Sequence, residues 1–190
     1  MKQWNNYPPP NPCYYEYKKH AWAVTSRKLN KKIMDTLLSL IEAMRNRLSR
    51  FIAIRFDLRQ SEYTDNNTDI GNFFKKLKAD IKRNYRNTLF SYLWVRERKK
   101  SEAQHYHAVI FLDASKIMHS HNIFQKIHHL WSSIGLKNPA AWLPKRPFYK
   151  VHRNENTELI KLIYRASYLA KEKWKENKPN IKYFHYSKVG

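Results

Sequence analysis

Two apolar runs, Leu89–Arg98 and Gln104–Leu112, flank a short polar link, Lys99–Ala103. A link of that length favours one arrangement, an antiparallel β-hairpin. Side chains alternate along a strand, so the histidines of His105-Tyr106-His107 project from one face. Glu97 stands eight residues before His105, where the hairpin brings it alongside. Two imidazoles and a carboxylate form a three-ligand set with positions left open for water and substrate. Such a set suits catalysis more than folding. It requires a nucleophile and a substrate from elsewhere in the chain.

The remaining segments set the frame for that hairpin. Ser26–Arg50 repeats apolar residues (Leu29, Ile33, Leu37, Leu40, Ile41, Met44, Leu48) at helical spacing. Phe51–Leu58 alternates and predicts a strand, and Gln60–Ile70 a polar loop. Asn72–Arg86 predicts a basic amphipathic helix with Phe73, Leu77 and Ile81 on its inner face. Asn122–Ile134 predicts a helix that stops near Gly135, and Lys137–Pro147 a proline-broken loop carrying Trp142 and several cations. Phe148–Arg153 reads as a short strand, Thr157–Glu176 as one long helix capped by Asn156, and Ile181–Tyr186 as a last strand. Residues 1–27, rich in Pro, Asn and Tyr, read as an N-terminal arm, and residues 28–190 as a single domain. This order predicts an α+β fold: a mostly antiparallel central sheet of about five strands with helices packed on its faces.

Charge narrows the substrate. Lys and Arg number 37 against 15 Asp and Glu, for a net +22. An excess that large predicts a polyanionic partner, nucleic acid first. Lys75, Lys76, Lys78, Lys82, Arg96, Lys173 and Lys175 are the candidate nucleic-acid contacts. Aromatic residues interleaved with these cations can stack on bases. The three glycines, Gly71, Gly135 and Gly190, permit no nucleotide-cradling glycine loop, so unwinding of duplex would fall to a separate host helicase. No apolar run predicts a membrane span or signal peptide, and a lone Cys13 predicts no internal disulfide. The expected setting is a reducing cytoplasm.

The missing nucleophile is offered by Tyr164, Tyr168 and Lys171, which at i, i+4 and i+7 project from one face of the long helix. A phenolate is a competent nucleophile at phosphorus, and Lys171 can stabilise it or the phosphate oxygens. A divalent metal on Glu97, His105 and His107 would polarise the scissile phosphate, Mg²⁺ or Mn²⁺ being the fitting ions. A second H-x-H, His119-Ser120-His121, precedes a helix and reads as solvated surface.

These residues carry a resemblance. The H-x-H strand followed by Tyr164-x-x-x-Tyr168-x-x-Lys171 resembles the HUH endonuclease superfamily, with its two-tyrosine replication initiators. More locally, FIAIRFDLR, YLWVRERKKSEAQHYHAVIFLD and IYRASYLAK are similar to the replication-protein-like family of filamentous phages (inoviruses) and prophages, the YagK/YfjJ C-terminal type. The resemblance implies an HUH-type fold with a ferredoxin-like core. It implies metal-dependent nicking and joining of single-stranded or cruciform DNA at an origin, through a phosphotyrosine, to start rolling-circle replication in the cytoplasm of a bacterial host. Glu97, His105 and His107 are then the metal ligands, Tyr168 and Lys171 the nucleophile motif, and Tyr164 the second tyrosine. Gln104 replaces the proline common before the first histidine, and Asp57 receives no role. The competing readings are a basic DNA-binding or regulatory protein with a degenerate site, a transposase or relaxase using the same chemistry, and a structural zinc site.

Overall fold

The computed structural model describes residues 8–98, 103–117, 120–134, 140–172 and 180–189. The chain opens with a hairpin, β1 (Cys13–Tyr17) and β2 (His20–Val24), and continues through α1 (Lys31–Arg47), β3 (Arg50–Arg59) and α2 (Thr68–Asn84). The histidine hairpin follows as β4 (Phe90–Glu97) and β5 (His105–Asp113). Then come α3 (Ser120–Ser132), β6 (Ala140–Trp142), β7 (Phe148–His152), α4 (Thr157–Ala166), a 3₁₀ turn (Ser167–Ala170) and β8 (Phe184–Tyr186).

The central sheet runs β6-β3-β5-β4-β8, with every pair antiparallel. The short strands β6 and β7 share the outer edge of β3 end to end, β6 on Asp57–Arg59 and β7 on Arg50–Ile54. Six strands therefore span a width of five, and the α+β reading stands. Alternation sends the side chains to two cores. Phe51, Ala53, Leu93, Val95, Val109, Phe111, Tyr149 and Val151 meet α1 and α4 on one face. Ile54, Phe56, Leu58, Trp94, Tyr106, Ala108 and Ile110 meet α2 and α3 on the other. Truncating a fully buried ring such as Phe111 to Ala costs about 3–5 kcal/mol.

Three expectations change. Residues 13–24 are not an arm but a hairpin whose Ala23 and Val24 are buried. Its Tyr15 hydroxyl donates to Asp35 of α1 at 2.7 Å. The tyrosines that looked like arm composition are thus strand residues packed on a helix. Inside the expected loop at 137–147, β6 adds to the sheet edge. The long helix stops at Ala166, ten residues short of Glu176. Buried Ser167 turns its hydroxyl back onto the Tyr164 carbonyl at 2.7 Å and accepts the Thr25 N–H at 3.0 Å. Such back-bonding competes with the α-helical ladder, and the chain tightens into the 3₁₀ turn. Asn30, the N-cap of α1, accepts from Ile33 N with its side chain and donates its own N–H to Ala170 O at 2.7 Å. The turn is therefore pinned to the start of α1, and a bridge between Leu29 and Lys171 extends the seam.

Candidate active site

Strand register assembles the site. Central β5 places His107 between Asp57 of β3 and Val95 of β4, and His105 between Arg59 and Glu97. On this face the inward positions are apolar until β3 reaches Arg55 and β5 reaches His107, and then become ionisable: Arg55, Asp57, Glu97, His105, His107. Asp57, Glu97, His105 and His107 open onto a cleft of about 660 Å³ that Arg59 and Tyr168, among others, also line.

Glu97 Oε2 is the focus, 3.1 Å from His107 Nε2 and 3.6 Å from His105 Nε2. One ligand atom from each of the three residues lies within 4.8 Å of the others. Ligand bonds of about 2.1 Å set adjacent donors about 3.0–3.4 Å apart, so this set can hold a divalent cation with a small adjustment of His105. Its tautomer fits as well. His107 Nδ1 meets Asp57 Oδ1 at 2.6 Å, and an N–H donated there leaves the Nε2 lone pair facing Glu97. That carboxylate–imidazole pair orients a ligand and raises its basicity.

Without a cation the same groups neutralise one another. Burial disfavours the His107 imidazolium, yet its bonds to Asp57 and Glu97 outweigh burial and raise its pKa above the ordinary histidine value. Burial likewise pushes the Asp57 carboxyl up, but His107 and Arg55 hold it below the usual range. Arg55 is only 6% exposed, and its Nη2 is 3.6 Å from Asp57 Oδ1.

Tyr168 closes the cleft from the other side. Its ring meets His107 edge-on, with centroids 5.1 Å apart. The Arg55 guanidinium lies 4.9 Å from the ring centroid and the Lys171 ammonium 5.8 Å. Burial, then the charge of Glu97, raise the phenol's pKa, with Arg55 opposing and Asp57 adding to the rise.

Tyr164 is placed differently. Burial raises the pKa of its phenol, with Arg165 opposing, and it is not among the residues lining the cleft. Tyr164 lies on α4 and Tyr168 in the 3₁₀ turn that follows it. Arg96 is also displaced from its expected role. It is fully buried on the opposite sheet face, donating to Asn66 O at 2.7 Å, Asn67 Oδ1 at 3.1 Å and Thr64 O at 2.5 Å. The alternation that aims Glu97 into the cleft aims Arg96 away from it, into the 60–67 loop. Gln104, where proline was the expected neighbour, holds the same loop through Thr64. Lys75, Lys76, Lys78 and Lys82 lie on α2, across the sheet from the cleft. Lys173 and Lys175 lie outside the described residues, as does His119. His121 sits exposed on α3, bonded to Gln125.

Asp57 and Arg55 were the functional residues that sequence reasoning missed. The alternating pattern of 51–58 put both on one face. Only the pairing of β3 with β5 reveals that this face is the histidine face.

The family model of the YagK/YfjJ C-terminal domain matches residues 16–187, which include every side chain of the cleft. No curated protein and no solved structure matches the chain significantly.

Proposed function

Since this chain belongs to the YagK/YfjJ C-terminal domain family, we propose that its cleft nicks and rejoins single-stranded DNA through a phosphotyrosine, initiating rolling-circle replication of a phage- or prophage-like element. The observation that carries the reading is the edge-on contact of Tyr168 with His107, a member of the two-histidine, one-carboxylate set. A core tyrosine has no reason to share an open cleft with three metal-ligand types. A nucleophile does.

Tyr168 Oη attacks the scissile phosphorus, an O–P bond forms, and the P–O3′ bond breaks. The products are a 5′-phosphotyrosyl strand and a free 3′-OH that primes synthesis. The phenolic proton leaves toward Asp57, which lines the same cleft as Tyr168, and ends on the departing O3′. Arg55, over the Tyr168 ring, offsets negative charge as the phenolate forms. Lys171 adds a second cation on the same ring. Glu97, His105 and His107 would hold Mg²⁺ or Mn²⁺, which supplies Lewis-acid stabilisation at the phosphate when bound. Rejoining reverses the attack and conserves the bond energy, so no nucleotide cofactor is required. A host helicase is the expected partner for exposing the strand.

The test is a covalent adduct. Single-stranded oligonucleotides tiling the DNA around the element's own gene are incubated with the protein and Mn²⁺, then run on a denaturing gel. The proposal expects a shifted, protease-sensitive band with the wild type and none with Tyr168→Phe. Tight binding with no adduct on any tile, with either Mn²⁺ or Mg²⁺, overturns the enzyme reading and leaves a DNA-binding protein.

A further inference from the structure

Trp142 is 67% exposed, one of three large apolar side chains left exposed among the described residues. Its position is specific. On edge strand β6 it pairs directly with Asp57, the residue that binds His107. Directly opposed residues of an antiparallel pair project to the same face, with Cβ atoms about 4.5–5.5 Å apart. The neighbours agree with that parity: Ala141 and Leu143 pack into the core on the other face. The indole therefore stands at the rim of the cleft, beside Asp57, with most of its surface in water.

Beyond Trp142 the chain leaves the sheet and returns at Pro147, whose carbonyl accepts the Arg55 N–H at 2.8 Å. Arg55 is two residues from Asp57 along β3, about 6–7 Å. The bulge between carries Lys145 and Arg146, the latter in the left-handed region at φ 52°. With Lys161 and Arg165 of α4 they line a cleft of about 210 Å³. Arg165 donates to Lys145 O at 2.9 Å, tying the bulge to the helix that runs into the Tyr168 turn. Four cations line this second cleft against one carboxylate, Glu158, which pairs with Lys161.

We propose that Trp142 is a stacking platform for an unpaired nucleobase next to the reacting phosphate, and that the Lys145–Arg146–Lys161–Arg165 cleft takes the backbone phosphate beyond it. The identity of the strand as DNA rests on the function proposed above. An exposed aromatic face followed by a cationic groove is the arrangement that holds single strands with little regard to sequence. Duplex bases have no free face to offer an indole at a sheet edge. Trp142 thus gives the cleft its preference for unpaired substrate, and the bulge gives the strand a direction, from the histidines past Trp142 toward α4.

The experiment separates binding from chemistry. Fluorescein-labelled dT20, a mixed-sequence 20-mer and a hairpin duplex are titrated by anisotropy in EDTA, using protein that carries Tyr168→Phe. Adding Trp142→Ala weakens both single strands by about tenfold or more, Trp142→Phe restores most of the affinity, and duplex binding stays the same. Replacing Lys145 and Arg146 by Ala flattens the salt dependence of dT20 binding, the slope falling by about 0.7 for each phosphate no longer held. The melting temperature of Trp142→Ala matches that of its parent, since the side chain is exposed. Unchanged single-strand affinity in Trp142→Ala overturns the proposal, as does an equal loss on duplex. An adduct that forms normally while Trp142→Ala binds as its parent sinks this inference alone. Loss of single-strand binding without any adduct in the wild type sinks the nuclease reading alone.

Discussion

Asp57 lies directly across the strand pair from His107 and holds its Nδ1 at 2.6 Å. The contact fixes which nitrogen of His107 faces Glu97, and so whether the site can accept a cation at all. Removing it by Asp57→Ala should reduce Mn²⁺ affinity about 10–100-fold by calorimetry, while His105 and Glu97 remain in place. An affinity within about twofold of wild type would show that His107 orients itself.

The protonation of His107 gives the metal-free protein an unusual pH response. Its folded pKa is raised above the ordinary value of about 6.5, despite burial, by Asp57 and Glu97. A group raised in the folded state contributes its full stability below the unfolded pKa and loses it as pH climbs through the folded value. In EDTA, the melting temperature of wild type relative to His107→Gln should therefore be highest below about pH 6.5 and decline above it. Mn²⁺ affinity should run the other way, rising across that window as the competing proton leaves. A wild-type advantage that grows with pH in EDTA contradicts the bridged imidazolium.

Tyr164 and Tyr168 should separate cleanly. Because Tyr168 lines the cleft and Tyr164 is not among its lining residues, Tyr164→Phe should leave the first cleavage within about threefold of wild type, whereas Tyr168→Phe abolishes it. Single-turnover adduct formation is the measurement. Equal loss in both variants would mean that the turn at Ser167 rearranges when DNA binds.

Arg96 should act on folding and not on DNA. Its guanidinium donates to Thr64 O, Asn66 O and Asn67 Oδ1 of the 60–67 loop and has no exposed surface. Arg96→Ala should cost about 3 kcal/mol in urea denaturation, because buried carbonyls lose a charged donor. The single-strand affinity of the folded protein should not change. A selective loss of affinity at full stability would return Arg96 to the nucleic-acid surface.

Much of this site was legible from local sequence. The link between the two runs sets the hairpin, and the eight-residue spacing puts Glu97 directly opposite His105. Alternation supplies the rest of the ligand set. Asp57 was hidden because its partner is fifty residues away, and no local pattern states which strand lies beside which. The end of α4 was hidden for another reason. No Gly or Pro marks it, and the decisive bond is the contact of Ser167 with Thr25, 142 positions apart. Arg96 misled because a cation on a strand of a +22 protein looks like a DNA contact until the loop that consumes it is in place. The tyrosines of 13–17 misled in the same way, since their strand character depends on a helix they pack against.

The seam between the first thirty residues and the Tyr168 turn bears on the order in which the cleft is completed. The three strands that carry Asp57, Glu97, His105 and His107 are complete once residue 113 has been made. The turn that presents Tyr168 needs Thr25, Leu29 and Asn30 from one end of the chain and Ser167 to Lys171 from the other. During synthesis the segments that carry the possible ligand set thus precede the turn that carries Tyr168. A protein clipped within residues 13–30 is therefore expected to lose the contacts of Thr25, Leu29 and Asn30 that hold this turn.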